Sequence, residues 1–196
     1  MQRPLFTYHT PDTAPEKSQE ALQRVLNKFG IIPNQDKILA VAPSIYEAYN
    51  HSFDLFLGKS SLSLLEGQIV IMTASFENNS PYCMAVHTWG MEMTKVPQDV
   101  IDSLRNGEPI KDSKLEALRS FTKDLLVCHG HVDESAIAAF IDAGYTQQNI
   151  VEVIGGLSAK MISNYINILA KTELDEVMKP YQWTHPDKVK AEGTTA

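Results

Sequence analysis

Cysteine is scarce in this chain, clustered positive charge is missing, and no long apolar run is present. Two cysteines, Cys83 and Cys128, are too few for a disulfide framework and too few for a structural zinc site without histidines, which suits a reducing compartment. Lys and Arg number 17 against 24 Asp and Glu, for a net charge of −7. Without a basic stripe to track phosphates, no nucleic-acid partner is expected. No segment approaches the uninterrupted apolar length of a membrane span, so no membrane partner is expected either. The opening Met1-Gln2-Arg3-Pro4-Leu5-Phe6 runs into Thr, His, Asp and Pro, without the apolar stretch and small-residue cleavage site of a secretory leader. The expected address is the cytoplasm.

What is present is helical periodicity. Pro4, Pro11 and Pro15 break the first residues into an arm, 1–15. Ala21, Leu22, Val25, Leu26 and Phe29 then recur at helical spacing and stop at Gly30, and Pro43 opens a longer helix through Ile45, Tyr49, Phe53 and Phe56 to Gly58. Ser63 and Glu66 form a capping-box pattern ahead of Ile69-Val70-Ile71-Met72, which is apolar almost all round and reads as a buried central helix. Asn78-Asn79-Ser80-Pro81 breaks it, with Ser80 as the expected N-cap of the next helix and Pro81 at its first position. Ser113 and Glu116 repeat the capping-box spacing, Asp133 caps a helix that Gly144 ends, and Thr146 starts a long one to about Ala170. There is no strand pattern and no internal repeat. The expectation is a single all-α domain over 16–180 and an irregular tail, 181–196, disordered at its last residues.

The strongest chemical constellation is Ser80-Pro81-Tyr82-Cys83-Met84-Ala85-Val86-His87, which sets a thiol and an imidazole four residues apart on one helical face. A thiol in the first turn meets unpaired backbone N–H groups and the positive end of the helix dipole, which favours the thiolate, and a neighbouring imidazole can take its proton.

This segment resembles the alkylhydroperoxidase D-like / carboxymuconolactone decarboxylase family. Its members carry a glutamate on one helix and, twelve residues on, a C-x-x-C-x-x-x-H motif that starts the next. Asn79 to His87 follows that pattern, with serine in place of the first cysteine. Leu62-Ser63 through Gln68-Ile69-Val70 is similar to the family's entry into the preceding helix, Ala143-Gly144-Tyr145-Thr146 to its A-G-Y-T turn, and Ser163-Asn164-Tyr165 to its S-N-Y segment. The likeness spans about residues 20 to 180. It implies an alkylhydroperoxidase D-like helical bundle, assembled as a homo-trimer or homo-hexamer.

Two departures bear on function. Counting twelve back from Ser80 reaches Gln68 where the resemblance puts the proton-relay glutamate. In the scheme the resemblance implies, the cysteine nearer the histidine attacks a peroxide, the other closes a disulfide, and the Glu–His pair moves protons. Cys83 and His87 keep the attacking half. Ser80 cannot close a disulfide, and Gln68 can orient the imidazole but not carry its proton. Glu66, two residues from Gln68, lies about 200° round the helix and is assigned to capping. Cys128 is expected to be an ordinary buried thiol. Cys128-His129-Gly130-His131 reads as a helix end rather than a metal site, so neither metal nor cofactor is called for. The long C-terminal helix, carrying Glu152, Lys160, Asn164 and Tyr165, is read as core and subunit interface.

The expected function is thiol-dependent peroxide reduction or redox sensing. Its partners are a small-molecule substrate such as a peroxide and an external thiol reductant that resolves oxidised Cys83. The alternatives are lactone chemistry of the decarboxylase type with His87 as acid or base, and a catalytically degenerate binding or scaffold protein.

Overall fold

A computed structural model describes residues 5–193. The first four residues of the expected arm and the last three of the expected tail lie outside that range. Ten α-helices and one 3-10 turn make up the described chain, with no strand among its residues: α1 (Glu16–Phe29), α2 (Asn34–Leu39), α3 (Pro43–Lys59), α4 (Leu64–Glu77), α5 (Pro81–Met93), α6 (Gln98–Asn106), α7 (Ser113–Val127), α8 (Glu134–Asp142), α9 (Gln147–Ala170), the 3-10 turn Glu176–Tyr181, and α10 (Pro186–Gly193). The all-α expectation holds.

Helix α4 is the axis of the bundle. Every residue from Gly67 to Ser75 is buried, because α5, α6, α7 and α9 all pack against it. The capping box at its start forms fully: Ser63 Oγ accepts from the Glu66 backbone, and Glu66 Oε2 accepts from the Ser63 N–H at 2.8 Å. Glu66 also accepts from the Tyr145 hydroxyl at 3.0 Å. Burial pushes the Glu66 carboxyl up, but the bonds from Ser63, Tyr145 and Lys114 outweigh it and hold the group below its usual range. Its capping role stands.

Apolar packing divides into two clusters. The larger gathers α4 to α9 around Ile69, Ile71, Met84, Leu104, Phe121 and Phe140. The smaller joins α1, α2 and α3 through Leu22, Leu39, Tyr46 and Tyr49, and Phe53 touches both. Helices α3 and α9 approach closely where Phe56 lies on Gly156. A β-carbon there would stand 2.6 Å from Phe56 Cζ, well inside van der Waals contact.

The bundle departs from the sequence reading in several places. Ser80 occupies the N-cap position of α5, yet its Oγ makes no capping bond and is buried without a partner among the described residues. The cap of α7 is Asp112, whose side chain accepts from the Leu115 N–H at 2.9 Å. Glu116 instead accepts from Ile110 N–H and pairs with Arg119. Asp133 stands at the start of α8 without a side-chain cap bond. Cys128 is exposed, not buried, because it falls at the end of α7 just before the left-handed His129 and Gly130 turn the chain away. The chain after Pro180 is irregular only in part: residues 182–185 form no regular element, but Trp183 is buried in the larger cluster, its indole N–H donating to Arg105 O at 2.8 Å, and α10 follows it. An aromatic anchor with a satisfied N–H overrides the proline-rich, polar look of that stretch.

Candidate active site

The Asn78–Pro81 break sets the site's geometry. Asn79 adopts a left-handed φ of 50° and Ser80 N–H returns to Ser75 O at 2.9 Å, which folds the start of α5 back against the end of α4. Pro81 at the first helical position then places Cys83 in the first turn and His87 one turn on. Both are buried, Cys83 at 1% exposure and His87 at 9%.

Their polar partners are on α9. Asn167 Nδ2 donates to Cys83 Sγ at 3.3 Å, and Lys160 Nζ lies 3.0 Å from His87 Nε2. Lys160 and Asn167 are seven residues apart and so share a helical face, which meets the Cys83–His87 face of α5. The Cys83 sulfur in turn raises the proton affinity of the Lys160 amine. Lys160 therefore faces the imidazole and Asn167 the thiol across the same seam.

At 1% exposure Lys160 has no carboxylate partner among the described residues: it faces His87, Cys83 and the ring of Phe53, whose centroid is 6.0 Å away. Burial lowers the Lys160 pKa, and the Cys83 sulfur offsets part of that shift. His87 is driven well below its ordinary value, first by burial and then by the Lys160 charge, so its imidazole is neutral. Phe53 stacks on it with ring centroids 5.9 Å apart. The site thus lies at the seam between the two apolar clusters.

A polar chain leads from the sulfur to α2. Asn167 Nδ2 also donates to Gln35 Oε1 at 2.7 Å, and Gln35 Nε2 donates to the Tyr49 hydroxyl at 2.8 Å. The Tyr82 hydroxyl accepts from Gln35 N–H and donates to Asp175 Oδ2 at 2.7 Å. Beside it, Asp36 accepts from Tyr46 at 2.9 Å. Burial, outweighing the Tyr46 bond and helped by nearby Asp175, pushes the Asp36 carboxyl up to about 6.

Cys83 and His87 line a cavity of about 850 Å³ between α1, α2, α3 and α5. Phe29, Tyr49, Phe53, Tyr82 and Val86 supply an apolar part of its wall, and Arg24, Lys28, Asp36, Glu47 and Asp54 give the rest charge of both signs. That volume is in the range of pockets for small organic ligands.

The structure brings together two of the four positions singled out from sequence and separates the roles of the others. Gln68 does not hold the imidazole. Its Oε1 is buried without a hydrogen-bond partner among the described residues, and the bond to His87 Nε2 comes from Lys160 instead. Ser80 Oγ is likewise buried and unpaired. Lys160, Asn167, Gln35 and Asp36 join the site without having been foreseen from sequence. The usable signal for Lys160 is a lone cation inside the apolar run Leu157 to Ile162. Asn164, in the segment similar to S-N-Y, tethers helices by donating to Ala74 O at 3.1 Å.

Neither a protein-family model nor a curated protein matches the sequence significantly. Solved structures do match the fold. An alkylhydroperoxidase core, an uncharacterised peroxidase-related protein of Ralstonia eutropha JMP134, superposes with a TM-score of 0.78 at 18% identity, over 88% of this chain and 93% of that one. The chain has the alkylhydroperoxidase D-like fold. A peroxidase-related protein of Silicibacter sp. TM1040 is similar, with a TM-score of 0.74, 19% identity, and 89% and 94% of the two chains covered. The debrominase Bmp8, as a cysteine-to-alanine variant holding 2,3,4-tribromopyrrole, superposes with a TM-score of 0.74 at 13% identity, over 90% and 95% of the chains. The alkylhydroperoxidase D-like fold therefore serves more than one chemistry, and the residues of this site must decide among them. No helix among the described residues is long and apolar enough to cross a membrane.

Proposed function

We propose that the protein is a single-cysteine thiol peroxidase acting on small organic hydroperoxides. The observation that carries this reading is the buried trio of Cys83, Lys160 and His87, of which Cys83 and His87 line a cavity of mixed aromatic and charged wall. In the reaction, the Cys83 thiolate attacks the distal peroxide oxygen. The O–O bond breaks, the alkoxide leaves as an alcohol after taking a proton, and Cys83 becomes a sulfenic acid. The Lys160 ammonium supplies positive charge beside the reacting groups, and neutral His87 exchanges protons with it. Since Ser80 supplies no thiol, an external thiol returns Cys83 to the reduced state. A cavity of about 850 Å³ with Tyr49, Phe53 and Tyr82 in its wall exceeds the needs of hydrogen peroxide, which favours an organic substrate. The peroxidase-related proteins of similar fold support the same chemistry.

The test is hydroperoxide consumption coupled to dithiothreitol. Turnover that persists in Cys128→Ser and is lost in Cys83→Ser is expected; turnover that survives Cys83→Ser rules the proposal out. A halogenated aromatic substrate is the second reading, favoured by the aromatic wall beside the thiol and by the tribromopyrrole bound to a debrominase of this fold. Release of bromide from a bromopyrrole, without hydroperoxide turnover, would select it.

A further inference from the structure

The missing resolving thiol leaves open how a buried sulfenic acid is protected between turnovers. Ser80 Oγ cannot form a disulfide, and Cys128 is on the surface while Cys83 is buried. One nucleophile faces the sulfur's side of the site: Asn167, two turns along α9 from Lys160, is 3.3 Å from Cys83 Sγ, and His87, one turn along α5 from Cys83, is 3.0 Å from Lys160 Nζ. The Lys160 amine is buried, is engaged with Cys83 and with His87 Nε2 at 3.0 Å, and is tied to no carboxylate among the described residues. A lysine kept in a protein interior for structure alone is ordinarily paired with an acid. Here both of its polar partners belong to the reacting site.

We propose that Lys160 resolves oxidised Cys83 by forming an intramolecular sulfenamide, a covalent Sγ–Nζ bond that stands in for the absent disulfide. The inference rests on the peroxidase reading above, since it needs the sulfenic acid that an organic hydroperoxide produces. The Nζ lone pair attacks the sulfenic sulfur, the S–N bond forms and the S–O bond breaks. The departing oxygen leaves as water, carrying a proton that the amine passes through His87 Nε2. Sulfenic acids are known to condense in this way with nitrogen as well as with sulfur. The cycle closes when an external thiol attacks the sulfur: S–N breaks, Lys160 takes up a proton, and a mixed disulfide remains. A second thiol releases Cys83 and leaves as the oxidised disulfide. Oxidation of Cys83 removes the anionic sulfur that favours the ammonium, and burial, which depresses the Lys160 pKa, then eases its loss of a proton to give the free amine.

The experiment treats the full chain, as Cys128→Ser to exclude a Cys83–Cys128 disulfide, with one equivalent of cumene hydroperoxide in the absence of thiol, followed by peptide mass mapping. The expected product is a cross-link between the peptides holding Cys83 and Lys160, lighter than their reduced sum by two hydrogen atoms and reversed by dithiothreitol. Lys160→Arg keeps the charge without the nucleophilic amine, and is expected to lose the cross-link and hold Cys83 as sulfenic acid, which a second equivalent of hydroperoxide carries to sulfinic acid. Cys83 oxidised to sulfenic or sulfinic acid in the parent without a cross-link overturns this inference and leaves the peroxidase reading standing. A cross-link that retains the oxygen overturns the direct S–N bond. A Cys83 that hydroperoxide does not oxidise overturns the peroxidase reading itself.

Discussion

At the level of single residues, the site is built from groups whose charged forms the fold opposes, and their pH dependences have different signs. Asp36 titrates near 6 in the folded chain against 3.8 for the free group. The folded state therefore holds its proton more tightly, and stability falls as pH rises through that window. Asp36→Asn removes the buried charge while keeping an acceptor for Tyr46. Each tenfold change in proton affinity between the folded and unfolded chain is worth ~1.4 kcal/mol, so the variant is expected to be more stable by about 1–3 kcal/mol at pH 7. The gain vanishes near pH 4, where the carboxyl is protonated in the folded chain. Urea denaturation at the two pH values measures it, and a variant less stable than the parent at pH 7 contradicts it. His87 works the other way: its pKa is depressed, so its contribution is complete above about pH 6.5 and lost as the pH falls and the buried imidazole must charge.

Lys160 separates function from stability at the same scale. Lys160→Met removes a buried amine at the cost of leaving His87 Nε2 unpaired, about 1 kcal/mol. Relief of the desolvated charge outweighs that loss, so folding stability is expected to hold or rise. Cys83 oxidation is expected to slow by about 10²-fold, the lower end of what a positioned proton-handling group supplies. Unchanged oxidation kinetics in a folded variant would remove Lys160 from the chemistry.

Among the elements, α9 sets the site by its register against α4 and α5. Gly156 lets Phe56 of α3 lie directly on α9, and Asn164 ties α9 to the α4 backbone. Gly156→Ala forces the helices apart and is expected to cost about 1–3 kcal/mol in chemical denaturation; a neutral effect would mean the contact relaxes freely. Much of this layer is legible in the sequence. The Ser63–Glu66 and Thr146 caps, the Pro81 start and the largely apolar α4 follow from spacing alone, and so does the Cys83–His87 pair. The six-residue α2 escapes because it is too short to show a hydrophobic period, although it supplies Gln35 and Asp36 to the site. Lys160 escapes for a different reason. Its role depends on which α9 face meets α5, a tertiary fact that helical spacing within α9 does not contain. Trp183 reads as part of an irregular tail because turn-forming neighbours mask an aromatic whose burial satisfies its N–H.

For the whole molecule, the prominent unexplained surface is along α9, where Val151, Ile154, Tyr165 and Leu169 are exposed in the single chain, Val151 and Leu169 at 68% each. Large apolar residues aligned on one long helix are what an assembly buries, and we propose that this stripe holds a homo-trimer or homo-hexamer together. Val151→Glu combined with Leu169→Glu is expected to reduce the mass seen by light scattering to that of one chain. An unchanged mass places the contact elsewhere.

The most direct test pits the two cysteines of one molecule against each other. Exposure alone favours Cys128, which is open to solvent, over buried Cys83. The reverse is expected under substoichiometric cumene hydroperoxide: Cys83 is oxidised first and by a wide margin, as read by mass mapping over time. Equal rates, or faster oxidation of Cys128, would show that the Cys83–Lys160–His87 trio does not activate its thiol.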